Sequence, residues 1–267
     1  MTGSEQHRSV ERSVELEASP ETVWKALTDA AQLESWFPLE ASVEPGEGGK
    51  VMVSWGSPSK WESRITIWDP PRHLQVRDPQ PPDAPSDAVP VGIDYHIEGR
   101  GGRTVLRVVN SGFSASADWD EYYDAVQGGW AYFLLNLKHY LERHAGTHRA
   151  MVWKRVPVEH RSRADSWPFV LRALGVDPSA RPGDDATFDM AGESHSGQVL
   201  MARPPGHIAL SLPGLNDGLL FVELEPGGER WHLGIWISTY GLPGERVDQL
   251  QRSLDAAAPE IAGVVPG

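Results

Sequence analysis

Between residues 9 and 17 apolar and polar positions alternate, with Val10, Val14 and Leu16 on one side, the period of a half-buried strand. Ser19-Pro20-Glu21-Thr22 then supplies an N-cap residue, a proline at the first helical position and an acid in the first turn. Val23, Trp24 and Leu27 follow at helical spacing, which predicts a short helix to about Asp29. A second helical turn is expected from Ala31 to Trp36, closing at Phe37-Pro38, because the residue before proline is pushed out of the α region. From Gly46 to Gly112 the pattern changes to short alternating runs punctuated by Gly and Pro, as in an antiparallel sheet. Val51, Val53 and Trp55 share one face, Ile65 and Ile67 form another stripe, and Leu74 and Val76 follow the Pro70-Pro71 turn. The clearest strand interleaves Val91, Ile93, Tyr95 and Ile97 with Gly92, Asp94, His96 and Glu98, so one face is buried and the other wet. Gly99 to Gly102 suits a hairpin turn, after which Leu106, Val108 and Asn110 fall on one face. The proline-rich stretch from Asp78 to Pro90 reads as an exposed loop. Residues 118 to 143 carry Trp119, Tyr123, Val126, Trp130, Phe133 or Leu134, Leu137 and Leu141 at steps of three and four. A helix of that length must lie across the sheet to bury its stripe.

The remaining residues repeat this order in shortened form. Pro70-Pro71-Arg72-His73-Leu74 is echoed by Pro204-Pro205-Gly206-His207-Ile208, Gly101-Gly102-Arg103 by Gly227-Gly228-Glu229-Arg230, and Gly112-Phe113 by Gly241-Leu242. Met151 to Val158 is expected to be the opening strand and Ser166-Trp167-Pro168 to open the first helix. Arg246 to Ala258 is expected to close the copy with a helix about half the length of its counterpart. Two domains are therefore expected, at 9–143 and 149–262, joined by a polar connector.

Composition narrows the chemistry. The 267 residues hold 24 Lys+Arg against 37 Asp+Glu, a formal charge of −13, which opposes a duplex-DNA surface, so nucleic acid is not an expected partner. The absence of cysteine removes disulfides and thiol chemistry and suits a reducing, cytoplasmic setting. No apolar leader opens the chain and no run of about 18 apolar residues occurs, so neither export nor membrane spanning is expected. Eleven tryptophans either fill a core or line an apolar cavity.

The run Ala18-Ser19-Pro20-Glu21-Thr22-Val23-Trp24-Lys25-Ala26-Leu27-Thr28-Asp29, with Trp36-Phe37, Asp69 to Leu74, Asn110-Ser111-Gly112-Phe113, Gly129-Trp130 and Leu137 to Glu142, resembles the Hsp90-ATPase-activator-homologue-like family of the START-like (SRPBCC) superfamily. The resemblance spans roughly residues 10 to 142. It implies an α+β helix-grip fold of the START-like or Bet v 1-like kind, a curved antiparallel sheet around a long C-terminal helix with a cavity between them. Asn110 departs from the histidine frequent in relatives, which removes an inherited acid-base role there. An unfilled apolar cavity costs about 24 cal/mol per Å³, so a maintained one suggests a ligand. Strand parity and the helix stripe nominate Trp55, Ile67, Val76, Tyr95 and Asn110 from the sheet, and Tyr123, Val126, Trp130 and Phe133 from the helix, as its wall. Mutual packing of these residues as ordinary core is the alternative.

No catalytic or metal motif emerges. The glycine runs at 46–49 and 99–102 lead into strands, Gly192-Glu193-Ser194-His195-Ser196 lacks the second glycine of a nucleophile elbow, and His139, His144 and His148 follow no metal-ligand spacing. The basic run from Arg143 to Arg163 reads as a solvated connector or a partner contact. The expected function is binding of a small hydrophobic or aromatic ligand by the first domain, without a cofactor, with the second domain serving docking, regulation or homodimerisation. A cyclase or aromatase-like enzyme using Tyr95, Asn110 and Tyr123, and a chaperone-associated adaptor, are the alternatives.

Overall fold

The computed structural model describes residues 7–56, 59–79, 89–116, 120–158, 162–227 and 230–263. Within it the chain divides into two compact units, 1–148 and 149–267. In the first, β1 (His7–Leu16) leads into α1 (Pro20–Thr28) and α2 (Ala30–Glu34), then β2 (Glu40–Glu44), β3 (Lys50–Ser54), β4 (Lys60–Asp69), β5 (His73–Arg77), β6 (Gly92–Arg100), β7 (Arg103–Ser114) and α3 (Asp120–Arg143). The strands form one antiparallel sheet in the order β1-β7-β6-β5-β4-β3-β2. The predicted cap is present: the Ser19 hydroxyl accepts from the Thr22 amide at 3.3 Å. β2 was not expected, since Glu-Ala-Ser-Val-Glu is short and lies on the sheet edge. Trp119 and most of the 78–90 stretch lie outside the described residues.

Side chains fix the helices on the sheet. Trp36 is fully buried; its indole N–H donates to the Ala26 carbonyl at 2.9 Å and its own carbonyl accepts from Asn136 Nδ2 of α3 at 2.6 Å. The Lys138 ammonium donates to the Glu15 carbonyl at 2.9 Å, so α3 is also tied to β1.

The second unit runs β8 (Arg149–Val158), α4 (Arg163–Ala173), β9 (Asp185–Met190), β10 (Glu193–Arg203), β11 (His207–Leu212), β12 (Gly218–Gly227), β13 (Arg230–Tyr240) and α5 (Gly244–Gly263). Its sheet order, β8-β13-β12-β11-β10-β9, repeats that of the first without a counterpart of β2. The two units share a finer detail. A bulge interrupts the ladder at Thr66 in β4 and at Leu200 in β10, at the same offset before the Pro70-Pro71 and Pro204-Pro205 turns. The tandem helix-grip-like architecture expected from the sequence is thus present. No helix among the described residues is long and apolar enough to cross a membrane.

Three expectations for this unit need correction. α4 starts at Arg163 with Ser162 as its cap, accepting from the Asp165 amide, so Ser166-Trp167-Pro168 lies inside the helix rather than opening it. α5 has 20 residues against 24 in α3, because the apolar stripe continues past Pro259 to Ile261 and Ala262. Half of the basic residues of that run, Arg149, Lys154 and Arg155, lie in strand β8 rather than in a connector; Lys154 and Arg155 pair with Asp255 and Glu225. Gly228 and Glu229 of the glycine turn lie outside the described residues.

The core of the second unit is dominated by Leu, Val, Ile and Ala, with Trp167 and Phe188. On the opposite side of its sheet Trp153 and Trp236 stack at 5.1 Å, and the Trp236 indole N–H donates to Glu223 at 2.9 Å. Burial, reinforced by the neighbouring Glu225 charge, pushes the Glu223 carboxyl up to about 8.

Two outcomes follow from these buried polar groups. Asn136→Ala removes the donor to the Trp36 carbonyl and should destabilise the protein by about 1–3 kcal/mol in denaturant melts; an unchanged midpoint would contradict the tie. Between the ordinary value of 4.5 and about 8, folded Glu223 keeps a proton that the unfolded chain has released. Stability should therefore fall as pH rises through that window and level off above it. Melts at pH 6.5 and 8 should show this loss in the wild type and a smaller one in Glu223→Gln; identical losses would refute the assignment.

Candidate functional site

Alternation along β5, β6 and β7 decides which residues face α3. The cross-strand sets Leu74, Tyr95, Val108 and Val76, Ile93, Asn110 lie opposite one another in neighbouring strands and so share one face. The first set reaches α3 directly, since the Tyr95 ring meets Trp130 edge-on at 6.0 Å. From Trp130 a row of rings continues across the sheet. Phe37 stacks on Trp130 at 5.8 Å and meets Phe133 and Trp55 edge-on at 4.7 and 5.0 Å; Trp55 then meets Trp61 at 5.5 Å. Burial grades along the row: Trp130 is buried, Trp55 and Phe133 are half-buried, and Trp61 is 44% exposed. The row therefore runs from the helix-sheet core to an open end.

Of the nominated wall residues, Trp55, Tyr95, Trp130 and Phe133 come together in this row, and Val76 and Asn110 lie on the same face one pleat away, about 7 Å along the strands. Val126 is half-buried on α3. Ile67 is a correction. The extra residue at Thr66 sets Ile65 opposite Val76 but Ile67 opposite Gln75, on the outward side of the sheet. Tyr123 is another: its hydroxyl donates to the Ser9 carbonyl at 2.8 Å and its ring carries the Arg8 guanidinium at 4.6 Å, so it clasps β1 rather than lining the row. Phe37, the hub of the row, is in sequence the end of a helical turn before Pro38 and, with Trp36, part of the family resemblance, and is not among the nominated wall residues. The aromatic spacing of Trp36-Phe37 was the available signal.

Asn110 is the chemically distinctive member. It is 8% exposed, and its Oδ1 is buried with no hydrogen-bond partner. Leaving such an acceptor unpaired costs about 1–3 kcal/mol. Tyr95, deeply buried, has its phenol pushed well above the ordinary tyrosine value by burial, so it stays protonated. The face thus offers a free amide acceptor and a neutral phenol at the inner end of an aromatic row.

A separate opening of about 260 Å³ is lined by Gly48, Lys50, Glu62, Ser63, Arg64 and Pro79 and includes none of these residues. The outward side of the same sheet gathers His73, Asp94 and His96, a cluster that linear spacing did not suggest. Burial works to raise the Asp94 carboxyl, but hydrogen bonds from Gln75 and His73 and the charge of Arg77 outweigh it and hold it below the usual carboxylate value.

Comparison with known proteins places the first unit. No curated protein matches the chain. The solution structure of the Aha1 dimer from Colwellia psychrerythraea is 22% identical, covering 52% of this chain and 99% of that one with a TM-score of 0.46. DynU16, from the dynemicin biosynthetic locus, is 19% identical over 96% of both chains with a TM-score of 0.43. The di-domain ARO/CYC BexL, from the BE-7585A biosynthetic pathway, is 14% identical over 97% of both with a TM-score of 0.46. The family described as Activator of Hsp90 ATPase homolog 1-like protein matches residues 17–142, from the end of β1 to the end of α3. Residues 17–142 thus carry a domain that matches the model of that family.

Proposed function

We propose that the first unit binds a small hydrophobic or aromatic molecule on the α3-facing side of its sheet. The ligand lies along the Trp55, Phe133 and Trp130 rings with a hydrogen-bond donor directed at Asn110. The single observation carrying this reading is the unpaired Asn110 Oδ1, buried on the face that holds the aromatic row. A buried acceptor without a partner is an expense that a donor on a ligand removes, and apolar sites orient their ligands through a few such groups. An amide and a protonated phenol supply hydrogen bonds but no group that exchanges protons near neutrality, which favours binding over acid-base catalysis. We assign the second unit to docking, regulation or dimerisation rather than to ligand binding, because its helix-facing side is filled chiefly by aliphatic side chains.

Native mass spectrometry of the gently purified chain tests the reading first: a copurifying small molecule released on activation is expected, and a bare mass together with no uptake of an aromatic probe would overturn it. Substitution separates site from core. Asn110→Leu should leave stability unchanged or raise it by about 1 kcal/mol, because an unpaired acceptor is removed, while weakening a donor-bearing aromatic ligand by about tenfold or more in titrations, the worth of one lost hydrogen bond. Marked destabilisation by Asn110→Leu would instead show the amide to be paired in a dry core.

A further inference from the structure

The outward side of the first sheet carries an arrangement independent of the aromatic row. His73 of β5 and His96 of β6 are direct cross-strand partners, and Asp94, two residues before His96, shares their face. The imidazoles stack with centroids 4.3 Å apart, and His73 Nε2 lies 3.0 Å from Asp94 Oδ1. One ligand atom from each of the three lies within 4.8 Å of the other two, and all three side chains are half-buried. Two donors at positions i and i+2 of one strand, with a third on the strand beside it, converge through the ladder itself and need no loop to hold them.

We propose that His73, Asp94 and His96 bind one divalent transition-metal ion of the zinc class. Two imidazoles and one carboxylate form a donor set suited to Zn²⁺. At metal-ligand distances of about 2.0–2.2 Å in tetrahedral geometry, ligand atoms stand roughly 3.3–3.6 Å apart, so occupancy requires the three side chains to draw in from their present separations of up to 4.8 Å. A second, independent observation is the shell behind the carboxylate. Gln75 Nε2 donates to Asp94 Oδ1 at 2.6 Å, Arg77 Nη2 donates to Oδ2 at 2.9 Å, and the Thr66 hydroxyl donates to Gln75 Oε1 at 2.7 Å. Such outer hydrogen bonds orient ligating carboxylates and are part of a working metal site. The surrounding charges set the class of ion. Arg77 and Arg107 stand nearby, the latter the cross-strand partner of His96 and paired with Glu11 at 3.2 Å. A single carboxylate beside two guanidinium groups does not hold Ca²⁺ or Mg²⁺, which require several oxygen donors, whereas imidazole nitrogens carry a borderline ion. Three protein donors leave a coordination position for water or for a donor from another molecule.

The test uses the tag-free full-length chain, stripped with a chelator and titrated with Zn²⁺ by calorimetry and with Co²⁺ by visible absorption. One equivalent of tight binding is expected, with Co²⁺ bands showing low-coordinate nitrogen and oxygen ligation. His73→Ala and His96→Ala should each abolish it, Gln75→Ala should weaken it about 10- to 100-fold, and His144→Ala should leave it intact. If an alanine variant fails to fold, His96→Gln and Asp94→Asn, which preserve volume, take its place. Absence of binding in the wild type, or binding that survives loss of both His73 and His96, would overturn the proposal.

Discussion

The placement of one indole governs the first unit. Trp36 is fully enclosed and is held from two sides, by its N–H on the Ala26 carbonyl of α1 and by its own carbonyl on Asn136 of α3. Both partners are buried, so an alternative packing must either reproduce both bonds or bear the cost of an unpaired group. Sliding α3 by one turn, about 5.4 Å, would break the Asn136 contact outright. The aromatic row depends on this register, because Phe37 stacks on Trp36 at 5.1 Å and on Trp130 of α3 at 5.8 Å. A polar constraint thus decides where the apolar surface falls, while the burial of that surface supplies most of the driving force.

Elements that carry their own local signal were legible in the sequence. The Ser19 cap and Pro20 announced α1, the three-four spacing announced α3, and the alternation of β6 placed Tyr95 inward and Asp94 and His96 outward, as observed. Features that depend on pairing were not. Ile67 had the parity of Ile65 along the chain, and nothing local reveals the extra residue that turns it outward. Tyr123 lay on the apolar stripe of α3, yet its hydroxyl reaches a backbone carbonyl of a strand 114 positions away in sequence. Asn110 was visible as a polar residue on an apolar face, but whether its amide is paired is a property of three strands at once. His73 and His96 lie 23 positions apart on either side of a proline-rich stretch, and only the β5-β6 register makes them neighbours.

The two units show how far one topology can diverge. They share strand order and a bulge at the same offset from a Pro-Pro turn, yet their helix-facing sides differ in kind. The first crosses that side with aromatic rings and an unpaired amide; the second fills it chiefly with aliphatic side chains. Aromatic rings offer faces and edges on which a further planar ring can stack, which aliphatic side chains do not. Binding chemistry is therefore better supported in the first unit, while the second has kept the frame.

The bulge at Thr66 links the two faces of the first sheet. By adding one residue to β4 it removes Ile67 from the helix side and directs the Thr66 hydroxyl toward Gln75 on the outward side. Gln75 is thereby oriented to donate to Asp94, which stands beside His73 and His96. On β5 and β6 the period of two then separates two chemistries by a single residue: Leu74 and Tyr95 face α3, while His73, Asp94 and His96 face away. An ion bridging His73 to His96 would brace the two strands that also carry Val76 and Tyr95, so occupancy on the outward face would stiffen the wall of the inner one. The same insertion that defeats a parity argument from sequence is what builds the support behind Asp94.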